Sequence, residues 1–257
     1  MHNWFSPKAF ALLAATLLAP ALFTPAHAEV TPEVRQVYDR LANELTQHRA
    51  FAVDMTLEYT ASVGEETQWL VTTYKVAYER PNRVAIKVEN PHIQYDFYLE
   101  NGLWTHYLPA VNQYVVQPAQ MTAPELISRS GVGPIGDAMI IFMQIALAEP
   151  FKVPMQYALN SEYKGEVDVD GDLYDKVFLD FDAVKWDAWI SKGDQPLLHR
   201  IVPQLPVVEN HYMEQFQKHV ELDVVMDFDN WNFNEEEVLE KLVFAERDSA
   251  EQIDSFE

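Results

Sequence analysis

Cysteine is absent from this 257-residue chain, and cations are scarce: 18 lysines and arginines face 40 aspartates and glutamates. Without cysteine there is no disulfide, no thiolate metal site, no cysteine nucleophile and no residue to carry a lipid anchor. The shortage of cations leaves a net charge of −22, which argues against nucleic acid and against simple electrostatic docking on anionic lipid headgroups, because both are negatively charged. Such a surface favours solubility, and it leaves open a cationic envelope protein as a partner. Catalytic and metal motifs are missing too. No G-x-S-x-G elbow, glycine-rich phosphate loop, H-E-x-x-H or H-x-H pattern occurs, so nothing marks a nucleophile, a nucleotide site or a zinc site. His106, amid Trp104 and Leu108 in a strand-like run, has the setting of a satisfied strand residue more than of a ligand. Asp168, Asp170, Asp172 and Asp175 open like a calcium loop, but the later glutamate is missing, and an Asp170-Gly171 hairpin accounts for them. No cofactor and no metal is expected. An enzyme is the minority reading, and a hydrolase with an unrecognised carboxylate pair stays as a third possibility.

Long apolar runs are also rare. The first, Ala9 to Phe23, follows a short n-region and precedes Ala26-His27-Ala28, a small-x-small cleavage pattern. This predicts a cleavable signal peptide over residues 1–28 and export to the periplasm. Pro20 and Pro25 interrupt the run, and it falls short of the roughly 20 residues a membrane span needs. Residues 29–257 are then expected to form a single domain, monomeric, unlipidated and without a transmembrane segment.

What is present reads mainly as strand. The stretch from Tyr78 to Val116 holds three strand-length runs broken by Pro-Asn, Asn-Pro and Asn-Gly. Asn101-Gly102 is the sharpest turn signal, since a two-residue hairpin needs positive φ at both central positions. Val84, Ile86 and Val88 alternate with Ala85, Lys87 and Glu89, predicting one apolar and one wet face. Before this meander, Thr31-Pro32-Glu33 opens a helix whose Val34, Val37, Tyr38, Leu41 and Leu45 form one apolar stripe. Strands over Phe51–Thr60 and Trp69–Tyr78 follow it. After Val116, Thr122-Ala123-Pro124-Glu125 reads as a capping box. Pro134 then starts a segment to Ala148 that is apolar on nearly every side, either a core helix or a lid over a greasy cavity. The second half returns to strands, closing on the strict alternation of Val220 to Phe228. About ten strands emerge from these turn and alternation signals, with no βαβ rhythm.

Arg80-Pro81-Asn82-Arg83 at a strand start, Asn101-Gly102 followed by Leu103-Trp104-Thr105-His106-Tyr107, then Pro109 and Asn112-Gln113, together resemble the periplasmic lipoprotein carrier LolA and its relatives. Trp186-Asp187-Ala188-Trp189-Ile190, then Gly193 to Arg200, with Trp231-Asn232 and Phe244 near the end, resemble a family of predicted periplasmic proteins of unknown function related to LolA by fold. Three departures stand out: the family's cysteine near the Asp-Gly turn is absent, Leu198 replaces a second proline, and no proline pair follows Phe244. The resemblance implies an α+β, mainly β fold: a strongly curved, incomplete antiparallel barrel wrapping the N-terminal helix and the Thr122–Ala148 helical segment, with Phe244 at the last strand. It further implies a non-enzymatic carrier of an apolar ligand, a lipid or the acyl chains of a lipoprotein. Candidate ligand-lining residues are Tyr95, Phe97, Leu99 and Trp104 with Met139, Ile140, Phe142 and Met143. Arg80 matches the arginine that in LolA helps hold the lid helices closed; an exposed strand-end charge is the alternative. The competing functional reading is a non-carrying periplasmic protein with a self-plugged hollow, whose exterior binds another envelope protein.

Overall fold

The structure is a computed structural model that describes residues 30–63, 66–91, 94–129, 143–181, 184–204, 220–245 and 249–255. Helix α1 (Pro32–Gln47) starts where proline at the first turn and an acidic residue suit the exposed amides of a helix N-terminus. Thr31 Oγ1 accepts from Val34 N at 3.4 Å, capping it. The whole stripe of Val34, Val37, Tyr38, Leu41 and Leu45 is buried. Five strands carry the first meander: β1 (Ala50–Val63), β2 (Glu66–Glu79), β3 (Arg83–Glu89), β4 (Gln94–Glu100) and β5 (Leu103–Leu108), followed by β6 (Gln113–Pro118). Asn101 and Gly102 have φ of 52° and 74°, the left-handed pair that joins β4 to β5. Helix α2 (Ala123–Arg129) carries the capping box, with Glu125 Oε2 accepting from Thr122 N at 2.7 Å. Residues 143–146 are helical, and α3 (Lys152–Tyr157) precedes the second strand set. That set is β7 (Asn160–Val169), β8 (Asp172–Phe181), β9 (Val184–Ser191), β10 (Leu198–Gln204) and β11 (Val220–Asn232). The described chain ends with α4 (Glu235–Lys241) and the short β12 (Glu251–Gln252).

All twelve strands join one sheet in the order β12-β6-β5-β4-β3-β2-β1-β11-β10-β9-β8-β7. Its two outer strands, β12 and β7, do not pair, so the strongly curved sheet stays open. The central pair, β1 with β11, joins residues about 170 positions apart in sequence, Leu57 opposite Met226 among them. Period-two alternation puts Val53, Met55, Leu57, Val76, Val84 and Ile86 into one large cluster with the α1 stripe, and this is the hollow side. Helix α1 lies toward the β7–β9 end of that side. Trp186 Nε1 of β9 donates to Tyr38 Oη at 2.8 Å, Thr31 N donates to Ser161 Oγ of β7 at 2.9 Å, and Arg40 ion-pairs with the buried Asp175 of β8.

The outer side departs from the expected pattern. Ala85 is buried, because α4 lays Val238 and Leu242 over a floor of Ala50, Ala52, Ala77, Ala85 and Tyr98. Small side chains on neighbouring strands let a helix approach there, so Ala85 is covered while Lys87 stays half-buried and Glu89 exposed. The described residues form twelve strands where about ten were expected, and β12 pairs in parallel with β6. Phe244 lies in no strand. Its ring packs against Tyr98, Tyr107 and Tyr114 at 5.1 to 5.9 Å, and the chain forms its last strand only at Glu251.

Candidate functional site

Alternation along β4 sends Tyr95, Phe97 and Leu99 to the hollow side, while Asp96 and Tyr98 face outward. On β5, Trp104 and His106 share that hollow face. The β4–β5 register sets Phe97 opposite His106 and Leu99 opposite Trp104, which brings four rings together. Phe97 lies 4.4 Å from His106 and 5.7 Å from Trp104, with planes within 33° and 24° of parallel. Tyr95 stands edge-on to Phe97 at 5.0 Å. Such geometries contribute roughly 0.5–1.5 kcal/mol per pair beyond the area they bury. Leu99 is buried within the core, whereas Phe97, Trp104 and His106 are half-buried. Burial disfavours the charged imidazole and lowers the His106 pKa to about 4, and it pushes the Tyr95 phenol up to about 12. His106 was not among the residues expected to line the site; its place two residues beyond Trp104 on the same strand face was the available signal.

A cavity of about 300 Å³ adjoins this cluster, lined by Trp104, Gln117, Pro118, Gln120 and Met121. A larger one, about 810 Å³, lies elsewhere, between the outer face of α1 and residues 148–156, and Arg35, Asp39, Asn43 and Met155 are among its lining. None of the described candidate ligand residues is in its lining. Of the candidates after β6, Met143 packs half-buried against the core; Met139, Ile140 and Phe142 lie outside the described residues.

Arg80, at the turn between β2 and β3, reaches across the hollow end of the sheet. Its guanidinium donates to the carbonyls of Leu147 (2.7 Å), Leu45 (3.2 Å) and Ile145 (3.4 Å), so one side chain ties the sheet to the end of α1 and to the stretch after residue 143. Its Cζ lies 5.6 Å from the Tyr78 ring centroid, and burial lowers its pKa from the usual value. Nε has no hydrogen-bond partner among the described residues. Arg80 is thus a partly buried guanidinium on backbone carbonyls. The outward neighbour Glu79 takes the opposite role, buried between Arg49 and Arg83 on the α4 side.

Among the described residues no group of three or more His, Asp or Glu side chains is placed to hold a metal ion. Asp168 and Asp170 serve the hairpin: Asp168 Oδ1 accepts from Gly171 N at 3.0 Å, and Asp170 takes a φ of 55°. Asp175 instead points into the hollow, where Tyr163 Oη donates to it at 2.8 Å beside Arg40. No described helix is long and apolar enough to cross a membrane.

The fold is an open, strongly curved, mainly antiparallel sheet with a helix against its hollow side. The chain belongs to the DUF2092 family of predicted periplasmic proteins, whose family model matches residues 34–255. No curated protein matches it in sequence. Among solved structures it is similar to the Mycobacterium tuberculosis lipoprotein LppX, at 12% identity over 78% of this chain and 96% of that one, TM-score 0.44. An uncharacterised conserved protein from Thermus thermophilus shares 13% identity over 86% of this chain and 98% of its own, TM-score 0.40. A LolA superfamily protein from Nitrosomonas europaea shares 10% identity over 78% and 93% respectively, TM-score 0.38.

Proposed function

We propose that this protein is a periplasmic carrier or binding protein, exported by a signal cleaved after Ala28, that holds an apolar ligand against the hollow side of its sheet. The ligand is a lipid or the acyl chains of a lipoprotein. Arg80 is the observation that carries the reading. The stretch from Ile145 to Leu147 is tied to the sheet by one guanidinium rather than by strand pairing. Hydrogen bonds from a charged donor stabilise by about 1.5–3 kcal/mol each, yet water replaces them when they open, so a tie of this kind releases and re-forms. Beneath it lies the apolar hollow side that a greasy ligand needs.

Arg80→Leu is expected to speed amide exchange over residues 145–149 by at least about tenfold, the equivalent of about 1.4 kcal/mol, and to change the affinity for a fluorescent hexadecanoate. Unchanged exchange together with unchanged affinity would end the latch assignment. Native mass spectrometry of the purified protein is expected to show copurified acyl lipid. A lipid-free protein that refuses the fluorescent acid would instead favour the second reading, a non-carrying protein whose exterior binds an envelope partner. The fully buried Tyr38 and Trp186, which fill the hollow under α1, are the observation on that side.

A further inference from the structure

The 300 Å³ cavity beside Trp104 differs in chemistry from the rest of this protein. The chain carries a net charge of −22, yet none of the cavity's lining residues, Trp104, Gln117, Pro118, Gln120 and Met121, is charged. The imidazole of the adjoining ring cluster is held neutral by its burial. Gln117, Pro118 and Gln120 are exposed, so the recess faces solvent, and with no counter-ion in its lining a charged group gains no partner there over water. Two carboxamides supply its hydrogen bonds, each with donors and an acceptor. One wall is an indole within 24° of parallel to Phe97 and 23° to His106, and a thioether, a favourable neighbour for aromatic rings, forms part of the rest. At the β1–β3 part of the hollow Val53, Met55, Leu57, Val84, Ile86 and Val88 are mixed with Phe51, Tyr74 and Tyr78, and all of them are buried.

A saturated chain gains from burial wherever apolar surface is offered, and it gains nothing particular from stacked rings or from paired carboxamides. A flat conjugated ring with oxygen substituents uses both. We propose, resting on the binding-protein reading above, that the Trp104 cavity takes a neutral, planar, conjugated ring bearing carbonyl or hydroxyl groups, either alone or as the head of an apolar molecule. Such a ring extends the aromatic cluster of Phe97, His106 and Trp104 by one more member, and Gln117 and Gln120 pair with its oxygens. At about 300 Å³ the space stands at the small end of ligand pockets, suited to a two-ring system more than to a long chain.

Menadione, a two-ring quinone, and hexadecanoic acid serve as the probes, with binding read by equilibrium dialysis on the full chain. Menadione is expected to bind. Trp104→Leu is expected to weaken it by about tenfold and Trp104→Phe by no more than about threefold, because the second variant keeps a ring. Gln120→Leu should weaken menadione by about fivefold or more through the lost hydrogen bond. Gln120→Leu should not move hexadecanoate by more than about threefold. A measurement free of substitutions at the site uses 5-fluorotryptophan labelling: menadione added to the wild-type chain shifts the Trp104 resonance. Hexadecanoate binding without menadione binding overturns this proposal and leaves the carrier reading standing. Failure of both probes overturns the two together. Menadione binding that leaves the Trp104 resonance unmoved, or that Trp104→Leu does not weaken, also overturns it.

Discussion

His106 shows how one position couples packing to pH. Its ring is sandwiched among Tyr95, Phe97 and Trp104, and burial takes its pKa from the ordinary 6.5 to about 4. A folded-state value below the unfolded one means the unfolded chain binds the proton first. Stability from the neutral ring is therefore complete above about pH 6.5 and is lost as pH falls toward 4, by about 2 kcal/mol once the ring's partial exposure is discounted. The urea midpoint is expected to drop between pH 7 and pH 4.5, and His106→Phe is expected to flatten most of that drop; an equal drop in both proteins would place the acid sensitivity in the carboxylates instead. Arg80 also works through its immediate surroundings, and the same residue type at an exposed strand end would be a solvated charge. The pattern Arg-Pro-Asn-Arg marks the turn, while the carbonyls of residues 45, 145 and 147 that make it a tie come from elsewhere in the chain.

At the scale of elements, α4 is the least expected feature. Its sequence, EEEVLEK, offers only Val238 and Leu239 as apolar residues within the helix, too little for a periodic stripe to announce a packed helix. Asn234 caps it, and Val238 with Leu242 meets a floor of alanines. Leu242→Ala is expected to lower stability by about 2–4 kcal/mol, since both a transfer loss and a cavity follow. The urea midpoint measures this; a loss under about 0.5 kcal/mol, the size of an ordinary surface change, would mean that α4 merely rests on the sheet. Helix α1 presents the opposite case. Its cap, its proline and its stripe are all readable in the chain, and all are used. Its direction over β7–β9 was not readable, because that depends on Tyr38 meeting Trp186 and on Arg40 meeting Asp175, pairs more than 130 residues apart.

For the molecule as a whole, 40 carboxylates against 18 cations make self-repulsion part of the stability balance. Screening shortens the reach of that repulsion from roughly 30 Å at 0.01 M salt to roughly 3 Å at 1 M. The thermal midpoint is accordingly expected to rise over that range by several degrees, as a gain of about 1 kcal/mol would produce in a chain this long. A falling midpoint would show that the ion pairs, such as those linking Glu79 to Arg49 and Arg83, outweigh the repulsion. The open sheet is also a whole-molecule property: β1 pairs with β11, which joins the two meanders through strands from opposite halves of the chain.

By itself the chain determined the turns, the caps and the overall chemistry, though not every element: α4 and β12 were not legible in it. Asn101-Gly102, Thr31-Pro32 and the Thr122–Glu125 box act within a few residues, where backbone dihedrals and caps suffice. Absence of cysteine and excess of carboxylate likewise needed no fold to be read. Only the tertiary structure decided what covers each face of β4: Asp96 and Tyr98 are buried too, Tyr98 under Phe244 on the outer side. It also decided what Arg80 grips. Both outcomes rest on contacts between residues far apart in sequence, and such contacts form only when the whole sheet bends and brings them within reach.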